Sequence, residues 1–206
     1  MGADKFFNDK FARKELKRYR RRGPVRATLR LIQAIKDHDI RESSLLDIGG
    51  GIGVIQLELL KAGASRSTDI DAASAYLEIA RQEATRENLA ARTAYQFGDF
   101  VELADQVAQA DIVTLDKVLC CYDDIDSLVK SSAAKAGQYY AVIYPQDKWW
   151  TQIIRAFGFL VSIIYRTTFQ TFIHSTDHVD RLIRSSGLKP IHTEKKMFWQ
   201  MVIYGR

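Results

Sequence analysis

The segment LLDIGGGIGVIQLELL, residues 45–60, constrains the fold more than any other part of the chain. An apolar run long enough for one buried strand ends in an acid, four glycines crowd the turn that follows, and a second apolar run then begins. Glycine tolerates left-handed backbone angles and, lacking Cβ, lets a ligand come close to the main chain. The segment therefore predicts strand, ligand-facing turn and helix. Two common phosphate-binding patterns do not fit. A dinucleotide fingerprint needs G-x-G-x-x-G, whereas Gly53 comes two positions after Gly51 and Val54 follows it. A P-loop needs G-K-[ST] after the glycines, which is missing.

The rest of the chain continues in kind. Helices are expected over 8–22 and 25–38, the second with Val25, Leu29 and Ile32 on one face, and Gly23-Pro24 separates the two. Strands are expected at 44–48, 66–70, 93–97, 111–116 and 138–144, with helices at 53–62, 73–88 and 124–134 between them. Strands alternating with helices imply an α/β fold with a mostly parallel sheet covered on both faces. After an apolar segment, 149–173, a helix over 176–185 stops at Gly187, and the runs 189–195 and 197–204 pair as an antiparallel hairpin at the end of the sheet. Residues 1–40 read as a helical cap and 41–206 as the main domain, with no linker or repeat.

Charge is unevenly spread. Residues 1–30 hold eleven Lys or Arg against three acids, a net +8 within a chain of net +5. A basic arm of this kind suits nucleic acid, anionic lipid or an acidic small molecule, or is a solvated helix face. No run reaches the roughly 18 apolar residues of a membrane span; the longest, 156–165, is short, so any membrane contact is expected to be peripheral. The first residues lack the apolar core of a signal peptide, from which a cytoplasmic location is expected. The neighbours Cys120 and Cys121 are expected to be reduced thiols, and no metal-ligand spacing is present.

Asp47-x-Gly49-x-Gly51-x-Gly53 after a first strand resembles motif I of the class I S-adenosylmethionine (SAM)-dependent methyltransferases. That resemblance implies a Rossmann-like fold with a seven-stranded sheet, SAM as cofactor, and a loop that takes the methionine half of it. DIDAASAYLEIAR (69–81) resembles the family's second signature, which implies that Asp71, followed by Ala72, binds the ribose hydroxyls while Asp69 points elsewhere. The alternative for Asp71 is a helix N-cap before Ala72. By the same resemblance GDF (98–100) implies Asp99 at the adenine amino group and Phe100 beside the ring, and DIVTLDKVLCCY (111–122) resembles motif IV, which implies Asp116 bordering the methionine end.

The ends of the chain are similar to the magnesium-protoporphyrin IX methyltransferases, in FFNDKFARKELKRYRRRGP (6–24), VLCCYDD (118–124) and FIHSTDHVDRLIRSSGLKPIHTEKKMFW (172–199). By that likeness Tyr19 and His174 border the acceptor, and Cys121 stands where the family has a histidine. The departure at Cys121, with Asp123 in place of a proline, leaves the acceptor open: a small molecule, acidic or tetrapyrrolic. Core packing is the alternative for Cys121, surface packing for Tyr19, a backbone contact for His174, and packing at the mouth of the fold for Trp149 and Trp150. A nucleic-acid methyltransferase using the basic arm is the second reading, disfavoured because motif IV lacks the N/D-P-P-Y/F tetrad of exocyclic amine methylation. A non-catalytic SAM-fold partner is the third.

Overall fold

A computed structural model describes residues 8–148, 151 and 171–206; Trp149, Trp150 and the apolar run 156–165 lie outside the described residues. The chain opens with α1 (Asp9–Arg22) and α2 (Arg26–Lys36), then alternates through β1 (Ser44–Ile48), α3 (Val54–Lys61), β2 (Arg66–Asp71), α4 (Ser74–Arg86) and β3 (Thr93–Phe97). The short α5 (Phe100–Leu103), β4 (Ala110–Asp116), α6 (Ile125–Ala134) and β5 (Ala136–Pro145) follow, and α7 (Thr176–Ser185), β6 (Lys189–Lys196) and β7 (Trp199–Gly205) close the chain.

The strands form one sheet of order β3-β2-β1-β4-β5-β7-β6. Pairing from β3 to β5 is parallel; β7 runs antiparallel between β5 and β6. The order reverses between β1 and β4, so the loops leaving their C-terminal ends diverge and open a crevice, the position where open α/β sheets take ligands.

Both faces of the sheet are apolar, and the strand period of two divides its residues between two cores. Leu45, Ile112, Ala141 and Ile203 face one core with α1 to α4. Leu46, Val113, Val142 and Val202 face the other with α5, α6 and α7. Thus α1 and α2 share a core with the sheet, through Ala12, Leu16, Leu31, Ile32 and Ile35, and are not separately cored. Asn8 caps α1 by accepting from the Lys10 and Phe11 amides. Arg20 then fixes the helix to α4 by donating to the fully buried Glu83 carboxylate (Nη2–Oε2 2.5 Å), which Arg86 also clamps.

The expected face of α2 needs correcting. Val25 and Leu29 are 38% and 37% exposed, whereas Thr28, Leu31, Ile32, Ala34 and Ile35 are buried. The helix lies on the sheet by the stripe one position away, and only Ile32 belongs to both.

Leu31 is completely buried in the α1–α4 core. Leu31→Ala should lower unfolding free energy by about 2–5 kcal/mol, read as a fall in denaturation midpoint without a change in slope. A loss near zero would place α2 off the core.

Candidate active site

The turn after β1 is held from below. Register pairing sets Asp47 of β1 beside Asp69 of β2, with side chains on the same face of the sheet. Both carboxyls are almost wholly buried. The Thr114 hydroxyl donates to Asp47 Oδ1 at 2.6 Å, and the Gly50 amide donates to Asp69 Oδ1 at 3.2 Å. Gln56 reaches in from α3, its Oε1 accepting from the Ser67 hydroxyl. A Cβ on Gly50 would lie 2.7 Å from Asp69 Oδ1, 2.8 Å from Asp47 Oδ2 and 2.9 Å from Gln56 Nε2. Only glycine can therefore pass over these groups. Asp47 Oδ2, Asp69 Oδ2 and Gln56 Nε2 are left without a protein partner among the described residues.

Burial is the main force on the two acids; the charges of Asp116 and Asp71 add to it at Asp47, and those of Asp47 and Asp71 at Asp69, so both titrate above the ordinary carboxylate range. The site of Asp69 is thus settled as a structural support beneath the turn.

Above these acids, Gly49, Gly51 and Gly53 all take left-handed angles. At Gly49 the demand is double, since φ is +64° and a Cβ would meet Val118 Cγ2 at 2.6 Å. Asp71 ends β2 half-buried, with Oδ2 accepting from the Gly51 amide at 3.0 Å and Oδ1 from the Ala73 amide at 2.8 Å. Ala73, after Ala72, is the N-cap of α4, so Asp71 braces the helix start from two residues before it.

The next loops close the ring. Asp99 caps α5 by accepting from the Val101 amide at 2.8 Å, and also accepts from the Tyr122 hydroxyl. Phe100 is 4% exposed and packs in the α5–α7 core, whereas Phe97, opposite Asp71 in register, is 56% exposed. At the end of β4, Asp116 accepts from the Thr28 hydroxyl of α2 and from Lys117 Nζ at 2.7 Å. Lys117 has φ +66°, a strained angle for a residue with a side chain. Its ammonium also donates to Thr28 at 3.2 Å and stands 5.6 Å from the Trp199 ring centroid.

The turn Leu119–Cys121 follows. The Cys120 and Cys121 sulfurs are 3.9 Å apart and unbonded, and both thiols point to the Lys117 carbonyl. The neighbouring Cys120 sulfur, burial and the Asp71 charge all push the Cys121 thiol upward, keeping it protonated. His174 Nε2 lies 2.9 Å from the Leu119 carbonyl and 2.8 Å from that of Tyr122. Carbonyls only accept, so this nitrogen carries a proton and donates to both. Phe172 adds an amide bond to the Cys120 carbonyl at 2.8 Å.

The four loops are therefore tied together: Gly51 to Asp71, Gly49 against Val118, and Tyr122 to Asp99. Tyr19 is not among them. Its hydroxyl donates to Glu58 Oε1 at 2.9 Å, in a cleft lined by Lys61, Arg86 and Glu87. Arg86 ends α4, ~18 Å along the helix from its start beside Asp71. Thr28 and Lys117 belong to the cluster without any motif to announce them; the D-K pair ending β4 is the one available signal.

Residues 45–134 match the family described as a methyltransferase domain. Residues 45–134 thus carry a methyltransferase domain, on a fold shared with solved S-adenosylmethionine-dependent methyltransferases. In particular, the chain is similar to the magnesium protoporphyrin IX methyltransferase from Synechocystis PCC 6803 solved with bound SAH. The TM-score is 0.73 at 16% identity, over 98% of this chain and 99% of that one. An O-methyltransferase family protein from Burkholderia thailandensis gives 0.71 at 17% identity, over 97% of this chain and 63% of that one. The mitomycin 7-O-methyltransferase gives 0.65 at 21% identity, over 87% and 54%. A sequence search of curated proteins finds no match. No helix among the described residues is long and apolar enough to cross a membrane.

Raised carboxyls bind more protons folded than unfolded, so the stability this pair contributes is full below the ordinary carboxylate range and is lost as pH rises through the raised values. Denaturant midpoints should fall between about pH 5 and about pH 8, and Asp47→Asn should flatten that slope. An unchanged slope would mean that the pair is ionised in the folded protein.

Proposed function

We propose that the protein transfers a methyl group from S-adenosylmethionine to a carboxylate oxygen of a small-molecule acceptor, with a tetrapyrrole propionate as the leading candidate. The observation that carries this is the Lys117 ammonium beside the Trp199 ring at the end of β4, a cation next to a flat apolar surface. At the β4 turn Cys121 stays protonated, and His174 Nε2 donates to two backbone carbonyls that fix its ring. An alcohol or phenol must lose a proton as it attacks; a carboxylate at neutral pH has none to lose. Lys117, with its side chain 28% exposed, supplies a cation for such an acceptor, and Trp199 beside it supplies a flat apolar surface.

In this reading the backbone of Gly49, Gly51 and Gly53 receives the methionine half of the cofactor, and Asp47 supports it from beneath. Asp71 receives the ribose hydroxyls beside Ala72, since a carboxylate oxygen holding one amide proton keeps a further lone pair. Asp99 takes the adenine amino group, Phe97 offers its exposed ring, and Phe100 backs the site from the core. Asp116 borders the sulfonium, which its negative charge suits.

The cofactor supplies an electrophilic methyl on a positively charged sulfur. The chain's own work is then to orient the acceptor in line and exclude water. Helices α1 and α2 serve as the cap on the main domain, with Thr28 as its contact to the site. Tyr19 anchors this cap and does not touch the acceptor; His174 is a positioning residue for the 119–122 turn. The likeness to the Synechocystis magnesium protoporphyrin IX methyltransferase, over 98% of this chain and 99% of that one, is what puts a tetrapyrrole first among acceptors.

The test is methyl-labelled SAM with magnesium protoporphyrin IX, its dimethyl ester, and RNA as separate acceptors. Label should enter the free acid as a base-labile ester and leave the diester untouched. Lys117→Met should raise the acceptor KM by about ten- to a hundredfold, the worth of a charged hydrogen bond, without weakening SAM binding. Label in RNA, or a base-stable product, would overturn the proposal.

A further inference from the structure

The outer face of α1 has no role in the site. Ala12, Leu16 and Tyr19 turn one side of the helix into the core. The opposite side carries Lys10, Phe11, Lys14, Lys17, Arg18, Arg21 and Arg22, with no acid among them. Lys10, Lys14, Lys17 and Arg21 follow at spacings of four, three and four, which stacks them in one row along the helix. None of the six cations has an ion pair or side-chain hydrogen bond among the described residues. The acids at the margins are engaged, Asp9 by Arg13 and Glu15 by the Tyr76 hydroxyl. The other arginines of the helix, Arg13 and Arg20, are likewise spent on Asp9 and Glu83.

We infer that this face docks the protein on an anionic lipid surface. A row of cations spanning ~16 Å, held on a helix that Glu83 locks to the body, faces a flat array of negative headgroups with all charges at once. Phe11, half-exposed on the flank of that row beside Arg18, adds an aromatic ring to the same side of the helix. A nucleic-acid strand fits less well, because the face is convex and offers one aromatic ring where strand binding uses a groove with stacked bases. A second copy is excluded by charge, since the rows would repel. The inference rests on α1 alone and is independent of the acceptor.

The test is co-sedimentation of the full chain with vesicles of phosphatidylcholine, with and without phosphatidylserine, alongside a competing single-stranded RNA. Binding should require phosphatidylserine and should fall steeply with salt. Each lysine or arginine near a charged membrane is worth about fivefold in binding, so Lys10→Gln/Lys14→Gln/Lys17→Gln/Arg21→Gln should weaken it by several hundredfold. These side chains make no ion pair or hydrogen bond among the described residues, so SAM affinity of the same variant should stay at the wild-type value and certify its fold. Equal binding to neutral vesicles, no binding to either kind, or displacement from phosphatidylserine by equimolar RNA would overturn the proposal.

Discussion

Two buried carboxyl groups side by side are what the rest of the site is built on. Asp47 and Asp69 meet because β1 and β2 pair in parallel register, and they stand under a turn that only glycine can make. Isolated buried charges cost several kcal/mol each, so both acids are driven toward their protonated forms. The turn gains from this arrangement. Its Gly50 amide has a fixed acceptor below, and its Gly51 amide has another in Asp71. A ligand approaching from above meets backbone that is already held in place.

The same economy of contacts links the other loops. Tyr122 ties the β4 turn to Asp99, while His174 and Phe172 hold that turn from outside through its carbonyls and an amide. Thr28 brings α2 onto Asp116 and Lys117. The N-terminal helices are thus continuous with the core on one side and with the site on the other. For this ring we propose transfer to an acceptor that needs no deprotonation.

The mostly parallel sheet, its terminal hairpin and each described strand were legible because alternating apolar runs and glycine breaks are local signals. The acidic and glycine positions were legible because their spacing matches a known pattern. What escaped depended on tertiary contact. The face of α2 was misread by one position, since Val25, Leu29 and Ile32 fit helical spacing as well as the true stripe does. Asp69 was expected only to point elsewhere than Asp71, and its place beneath the turn comes from register. Lys117 adopts an angle that its residue type disfavours, and Thr28 lies 88 residues from its partner Asp116. Tyr19 and His174 were singled out by likeness of sequence, but their hydroxyl and ring nitrogen are committed to Glu58 and to backbone carbonyls.

The central claim is that the acid-supported glycine turn is the seat of the cofactor. Calorimetric titration of SAM into wild type, Gly50→Ala and Asp71→Ala tests it most directly. The account predicts saturable binding to wild type, weakened by at least about tenfold in each variant, the loss expected when a buried polar group loses its partner. Wild-type affinity in both variants, with folding intact, would contradict it.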